Sequence, residues 1–321
     1  MRRGLLEGAT PPRVSVVGSY GAGLTYGLAR MPGRGETVLS LYHRVDHGGK
    51  GSNQAIAAAR LGARSRLRTA LGDDALAEQA NRLWEEEGVD ASVVTVAGTP
   101  TMTGVILVEP DGENRIVVAP GALAGLRPEH VVEDDVLGAD VLLVQLEIPL
   151  DTAARALELA ARHGVRSILD PAPAPDPSAP ELASLLARAD VLTPNVGEAR
   201  ALLGGGGSLD APDLALALAD RSAASVVLTA GSRGAFVVEA GRRTSVPAVA
   251  VPEVVDTTGA GDAFSAALAV ALAEGADVVE GCRFAARAAA HAVTVAGVVP
   301  SLARREEMDR DDWNRDRRSG E

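Results

Sequence analysis

The chain has 321 residues, 46% hydrophobic but only 2% aromatic, with a net charge of −12 from 31 basic and 43 acidic side chains. That length suits one large α/β domain with an appendage, or two domains, around a core of Ala, Val and Leu. The acidic balance argues against a nucleic-acid or membrane-surface binder, which needs a basic face, but allows a local basic pocket for a small anion.

Residues 1–12 (MRRGLLEGATPP) read as a loose tail. Its Leu-Leu pair is too short for a signal-peptide core, and no later run reaches the ~18 apolar residues of a membrane span, so the expected location is cytoplasmic. Arg13–Gly18 is a short buried strand. In the following Gly18-Ser19-Tyr20-Gly21-Ala22-Gly23 the glycines have the wrong spacing for a dinucleotide fingerprint. Residues 24–47 are turn-rich and alternating, a β pattern. His43 and His47 have no further ligand to complete a zinc set, so structural or substrate-facing roles are expected. In Gly48-Gly49-Lys50-Gly51-Ser52-Asn53-Gln54, three glycines before a helix suggest backbone approaching a ligand. Gly51 after Lys50 rules out a Walker A loop. Asn53 opens the helix, either as a plain N-cap or as an amide offered to a hydroxyl.

A strand at 65–71, a helix at 74–87 with Leu76, Leu83 and Trp84 on its apolar face, and a strand at 92–96 come next. Thr101–Val108 and Asn114–Val118 flank Pro110-Asp111-Gly112, a hairpin signal. The two β-rich insertions, about 20–47 and 101–119, predict a lid. From Asp140 the pattern is βα: strand VLLVQLE, helix 151–163, strand 165–169, the stiff loop 170–175 and helix 180–188. Strand 190–193, a helix start at Pro194-Asn195-Val196-Gly197-Glu198, a turn at Gly204–Gly207, helix 211–220 and strand 225–229 follow. Strands at 235–238 and 243–250 precede helices at about 262–273 and 278–296. Cys282, the sole cysteine, reads as core and excludes a disulfide framework. Residues 304–321 form a charged, solvated tail. The whole predicts a mostly parallel sheet between helices. Ligands bind at the carboxyl ends of such strands, where Glu147, Asn195, Thr229 and Asp262 fall.

The stretch Val255-Asp256-Thr257-Thr258-Gly259-Ala260-Gly261-Asp262-Ala263-Phe264 is a loop that becomes a helix. Its two glycines let several N–H groups converge at the positive helix end, an anion site. A carboxylate there, Asp262, suits a base that takes a proton from a hydroxyl while the amides hold a phosphoryl group. The alternative is a simple capped helix start.

Taken together, these residues resemble the ribokinase family of carbohydrate kinases, the PfkB family, from about Val14 to Ser301. GGKGSNQA at 48–55 and VDTTGAGDAFSAAL at 255–268 match its two signatures. Between them, in order, stand QLE at 145–147, TPNVGEA at 193–199 and LTAGSRG at 228–234. The resemblance implies a ribokinase-like three-layer α/β/α sandwich over 13–303 with a mostly parallel sheet and a small β-sheet lid. It implies transfer of the γ-phosphoryl of ATP to a primary hydroxyl of a sugar or nucleoside, with Asp262 as base and the Gly259, Ala260 and Gly261 amides as anion hole. On the ATP side it implies Asn195, Thr229, Gly231, Ser232, Gly234 and Gly261, with Ala286 near the adenine. Mg²⁺ would be held through water by Asn195 and Glu198, and K⁺ by Asp256, Thr258, Val295, Gly297 and Ser301. On the acceptor side it implies Gly49, Lys50, Gly51, Asn53 and Glu147, the last being otherwise a capping carboxylate. A homodimer formed through the lid is also implied.

The departure lies at Gly21 and Gly23, where ribokinases proper carry Asn and Asp; the family's later Asn is replaced near Leu123. Either the glycines open room for a bulkier acceptor, such as a modified sugar, a ketose derivative or a nucleoside, or His43, His47 or a partner's lid residue replaces the lost contacts. The expected protein is a sugar kinase inefficient with D-ribose. The alternatives are a nucleoside kinase of the same family and a catalytically silent ATP- or sugar-binding regulator.

Overall fold

The computed structural model describes residues 10–110, 113–205 and 207–309. The tail read at 1–9, the Asp111-Gly112 turn, Gly206 and the charged stretch 310–321 lie outside the described residues. In chain order the elements are β1 (Arg13–Val17), β2 (Gly21–Gly27), β3 (Tyr42–Gly48), α1 (Lys50–Arg60), β4 (Arg64–Leu71), α2 (Ala75–Glu87), β5 (Val89–Thr95), β6 (Thr103–Val108) and β7 (Asn114–Ala119). Then come β8 (Val141–Gln145), α3 (Leu150–His163), β9 (Arg166–Asp170), α4 (Leu182–Leu186), β10 (Val191–Leu192), α5 (Val196–Leu202), α6 (Ala211–Ser222) and β11 (Ser225–Thr229). The last are β12 (Ala235–Glu239), β13 (Arg242–Val246), α7 (Ala260–Ala273), α8 (Val278–Ala292), α9 (Val298–Ser301) and α10 (Arg305–Met308).

The main sheet runs β13-β12-β11-β10-β9-β8-β1-β4-β5 and is parallel except for the two antiparallel pairings of β12. Its central strands β1, β8, β9, β10 and β11 are buried on both faces because helices cover both. β8 shows the division: Val141 and Leu143 join Ile56, Trp84 and Leu268 on one side, while Leu142 and Val144 join Leu157, Leu202 and Leu218 on the other. Alanines and glycines replace aromatic bulk here. Gly281 of α8 lies so close to α7 that a Cβ there would stand 2.8 Å from Leu268 Cδ1. Cys282 is fully buried in this layer, as its apolar surroundings predict. The lid is a separate sheet in the order β3-β2-β6-β7. The β6–β7 hairpin is antiparallel, as its turn signal predicts, and β2 joins it in parallel.

Several boundaries differ from the sequence reading. α1 starts at Lys50 with Gly49 at its N-cap, so Asn53 lies inside the first turn and is not a cap. β13 stops at Val246, before Pro247; the strand read over 243–250 gives way to irregular backbone up to α7. Prolines at 247 and 252 withhold N–H groups that a strand would need there. α8 ends at Ala292 rather than near 296. The first residues of the supposed solvated tail are docked: Met308 is 2% exposed, and Arg305 bonds Glu274 at 2.7 Å.

Candidate active site

The site forms at the carboxyl ends of β1, β8, β9 and β11, where α1 and α7 point their N-termini. Gly49 (φ 87) and Gly51 are required by backbone approaching backbone: a Cβ on Gly49 would stand 2.6 Å from Tyr20 Cα, and one on Gly51 2.5 Å from Ser19 N. Glu147, two residues past β8, ties this junction together. Its Oε2 accepts the Lys50 N–H (2.8 Å) and the Ser19 hydroxyl. The capping role weighed for Glu147 is therefore real, and Glu147 also lines the cavity beneath the lid.

Asp262, in the first turn of α7, is 5% exposed and held by amides. Asn53 Nδ2 donates to its Oδ2 at 2.8 Å, and Gln54 Nε2 to its Oδ1 at 3.1 Å. Gln54 Nε2 also donates to Asp170 Oδ2 (2.9 Å), and Gln54 Oε1 accepts from Gln145 Nε2 (2.6 Å). Lys50 Nζ stands 3.7 Å from Asp170 and 4.0 Å from Asp262. Burial opposes the Lys50 ammonium, but Asp170, Asp262, Glu147 and Glu198 outweigh it and hold its pKa above that of an ordinary lysine. Complete burial, opposed by Lys50 and reinforced by Asp262 and Glu198, pushes the Asp170 carboxyl up to about 7. The two partners thus respond differently: Lys50 gains from several carboxylates, whereas for Asp170 desolvation exceeds the attraction of one ammonium. The sequence reading missed Asp170, Gln54 and Gln145. Asp170 ends β9, so the strand-end rule that marked Glu147 would have found it.

At the start of α7, Gly259 (φ 82) is the N-cap, and a Cβ there would stand 2.6 Å from Val298 Cγ1. Ala263 N–H makes the first intrahelical bond, to the Gly259 carbonyl (2.9 Å). The amides of Gly261 and Asp262 before it point out of the helix end. Ala260 N–H already donates to the Thr257 carbonyl at 3.3 Å. Two cavities flank this helix end. One, of about 740 Å³, is lined by Lys50, Asn53, Glu147 and Asp262 together with the inner face of the lid. The other, of about 570 Å³, is lined by Thr229, Gly231, Ser232, Gly234, Gly261 and apolar residues including Phe264 and Ala286. Its further wall, Ala248–Val251, includes the end of the segment read as strand over 243–250.

Asn195 and Glu198 form a reciprocal capping box at α5 (2.8 and 2.9 Å), and Asn195 bridges to Thr229. Asp256 Oδ1 accepts from Thr258 N–H (2.9 Å) and Oδ2 from Gly297 N–H (3.1 Å). Burial works against the Asp256 carboxylate, but these bonds hold its pKa below the usual range. Val295 lies in the same turn, whereas buried Ser301 bonds the Val298 carbonyl (2.8 Å). Among the described residues no three His, Cys, Asp or Glu side chains cluster as metal ligands.

The acceptor side of the cavity treats the two glycines differently: Gly23 has open space in front of it, where a Cβ would meet nothing nearer than Ile106 Cδ1 at 3.4 Å. Gly21 opens no room, because a Cβ there would meet Met102 Cε at 2.5 Å. His43 stacks on Tyr26 (centroids 6.3 Å apart), pairs with it across the lid and is not among the cavity-lining residues. His47 lines the cavity, but its Nδ1 is engaged with the Tyr20 hydroxyl (2.9 Å). Leu123 is fully buried in the core. The cavity instead receives Tyr42, Arg44 and Asp46, alternate residues of β3 that the sequence reading passed over.

Residues 14–304 match the model of the pfkB family carbohydrate kinases. The chain belongs to that family. The kinase is 35% identical to a ribokinase of Haemophilus influenzae over 300 residues, 92% of this chain and 96% of that one. It is 32% identical to a deoxyribokinase of Salmonella typhi, over 90% and 94% of the two chains. The structure of an Arabidopsis thaliana ribokinase complexed with ribose and ATP superposes with a TM-score of 0.85 at 32% identity, covering 93% and 98%. The fold is therefore ribokinase-like, as the resemblance implied, and the chain is an ATP-dependent carbohydrate kinase.

Proposed function

We propose that this kinase transfers the γ-phosphoryl of ATP to a hydroxymethyl group of a sugar or sugar-like acceptor, with Asp262 as the base. The observation that carries the reading is the pair of cavities flanking the α7 N-terminus, one beneath the lid with Lys50, Asn53, Glu147 and Asp262 in its wall, the other more apolar. The acceptor lies in the first, with its hydroxyl on Asp262, which Asn53 and Gln54 orient. Asn53 Oδ1, buried and without a donor among the described residues, accepts a second acceptor hydroxyl. The adenine lies in the second cavity, near Ala286 and Phe264. The phosphates run past Thr229, Ser232 and the glycines of that loop to the Gly261 and Asp262 amides and Lys50. The hydroxyl proton passes to Asp262 as the acceptor oxygen bonds the γ-phosphorus and the bond to the leaving ADP oxygen breaks. Asp262 is the only group here asked to move a proton.

Asn195 and Glu198 suit Mg²⁺ through water, since each already spends one oxygen on the capping box and Glu198 retains the other. A hard monovalent cation such as K⁺ suits Asp256 with the surrounding carbonyls of Thr258, Val295 and Gly297; it would set the anion hole without touching the acceptor. Leu39, Leu41, Val45 and Val117 are exposed apolar residues of the lid region. They favour a homodimer formed there. The net charge of −12 favours a small-molecule partner over nucleic acid. No helix among the described residues is long and apolar enough to cross a membrane. A cytoplasmic location suits a kinase that consumes ATP.

An ATP-consumption screen with Mg²⁺ and K⁺ over pentoses, hexoses, ketoses and nucleosides tests the reading. Turnover that needs one acceptor and is abolished in Asp262→Asn supports it; turnover unchanged in that variant rejects it.

A further inference from the structure

Gln145, the last residue of β8, pairs in register with Asp170, the last of β9, so both side chains leave the same face of the sheet. Gln54 of α1 bridges them. Its Nε2 donates to Asp170 Oδ2 at 2.9 Å and to Asp262 Oδ1 at 3.1 Å, and its Oε1 accepts from Gln145 Nε2 at 2.6 Å. Gln54 and Gln145 are fully buried, and neither is among the residues lining the two cavities, so both amides find their partners inside the protein. An amide has a sense: its NH2 donates and its oxygen accepts, and a half-turn of the end group exchanges them with little change of shape. Packing therefore does not choose the sense of Gln54. The carboxylates do not choose it alone either. Burial pushes the Asp170 carboxyl up to about 7, so near neutrality it offers an O–H as well as an acceptor. The remaining neighbour is Gln145. Its Oε1 has no donor among the described residues, and Gly18, just past β1, makes room for it, since a Cβ there would overlap that oxygen. Leaving a buried acceptor unpaired is costly, and what the arrangement secures is a donor on Gln54 Oε1.

We infer that Gln145 is a positioning residue for the phosphoryl transfer: by donating to Gln54 Oε1 it fixes the sense of the Gln54 amide, and through it the orientation of the Asp262 carboxylate toward the acceptor hydroxyl. The inference rests on the proposed reading of Asp262 as the base. With Gln54 held this way, Asp262 Oδ1 receives the Gln54 NH2 while Oδ2 receives Asn53 Nδ2, and the carboxylate is pinned at both oxygens. Turned over, Gln54 would set its Oε1 against Asp262 Oδ1, two acceptors in contact, and the carboxylate would have to move. Gln145 itself reaches neither the acceptor nor ATP. Its effect therefore belongs to the rate of the chemical step and not to acceptor binding.

The test follows kcat and acceptor KM against pH in wild type, Gln145→Leu and Gln145→Glu, with the acceptor found by the ATP-consumption screen and thermal melting as the check on folding. Leucine removes the donor at similar volume, and kcat should fall about tenfold with acceptor KM within about twofold. The introduced carboxyl of Gln145→Glu keeps the shape and separates the roles. Protonated, its O–H donates to Gln54 Oε1 as the amide does; ionised, it only accepts and turns Gln54 over. Burial beside Asp170 and Asp262, with Glu147 two residues along and Lys50 opposing, favours its protonated form. The kcat of Gln145→Glu relative to wild type should therefore stay near one at acid pH and fall about tenfold as the carboxyl ionises, while that of Gln145→Leu stays low throughout. Gln145→Leu within about twofold of wild type, or both variants losing alike at every pH, overturns the inference. If Gln145→Leu does not fold, Gln145→Glu decides alone, and a ratio that is low at every pH overturns it. Turnover that persists in Asp262→Asn, or none with any acceptor, counts against the phosphoryl-transfer reading instead. The side chains then judge Gln145 separately. The chain has three glutamines, Gln54, Gln79 and Gln145, so ¹⁵N-glutamine labelling gives three side-chain NH2 pairs that substitution assigns. A Gln54 pair that is near its wild-type position in Gln145→Glu at acid pH and displaced in Gln145→Leu upholds the inference; a Gln54 pair unmoved in Gln145→Leu, or displaced alike in both variants, overturns it.

Discussion

The two sides of the large cavity are built on opposite principles. Around Asp262, the two aspartates are buried and each meets more than one partner: Asp262 takes Asn53, Gln54 and Lys50, Asp170 takes Gln54 and Lys50, and Gln54 alone touches Asp170, Asp262 and Gln145. Across the cavity, the lid offers backbone, glycine and partly exposed apolar side chains, and its few polar groups bond mainly to one another. A site that must place a proton acceptor accurately needs over-determined side chains, because small misplacements cost large factors in rate. A site that selects an acceptor needs shape, and shape is changed by adding or removing a Cβ. The difference explains how the chemistry can be kept while the acceptor side is rebuilt.

The sharpest way to break this comparison is Asp262→Asn. It keeps the size and one acceptor oxygen but cannot take the proton, so kcat should fall about a hundredfold to ten-thousandfold with ATP binding retained. A fall of only a few-fold would move the base elsewhere.

Asp170→Asn probes the support beneath. It should lower kcat about tenfold by loosening Lys50 and Gln54 while leaving acceptor KM nearly unchanged. Its stability effect has a sign. The Asp170 carboxyl is raised to about 7 in the folded protein, so its favourable contribution is present at acid pH and is lost as pH rises through about 7. The melting temperature of the variant relative to wild type should therefore climb between about pH 4 and pH 7 and level off above. A difference that stays flat would mean that Asp170 does not titrate in that window.

Asp256→Asn should do less. It weakens the two bonds from Thr258 and Gly297 and reduces the charge offered to a cation. Activation by K⁺ over Na⁺ should shrink about fivefold, the low end of coupling between neighbouring sites. Equal K⁺ response in both proteins would remove Asp256 from cation binding. The smallest catalytic effect belongs to Val117→Asp on the lid, where Val117 is 67% exposed. Light scattering should show a shift from dimer to monomer with kcat within about threefold, since the buried network is untouched. A monomeric wild type would reject the lid-paired dimer outright.

The order of strands and helices, the lid insertions and the two helix entrances were legible in the chain, because each depends on local chemistry. Alternation marks the lid strands, a hairpin turn joins β6 to β7, and Asn195-x-x-Glu198 is a capping box in sequence and in space. Gly259 needs its left-handed backbone whatever surrounds it. Glu147, Asn195 and Thr229 stand at or just past the ends of β8, β10 and β11, on the rim that strand ends in a parallel sheet share, whereas Asp262 follows no strand and reaches that rim from the first turn of α7. What only the tertiary structure decided is which distant side chains meet. Gln54 and Asp262 lie 208 positions apart, and Asp170 lies 116 from Gln54. Met102 seats against Gly21, and Pro247 turns an apolar strand pattern into a cavity wall. Arg44 faces the cleft while His43 turns away, because β3 pairs in one register and a shift of one residue would exchange them. Propensity acts between near neighbours along the chain; cavities are made by contacts between residues that the chain keeps far apart.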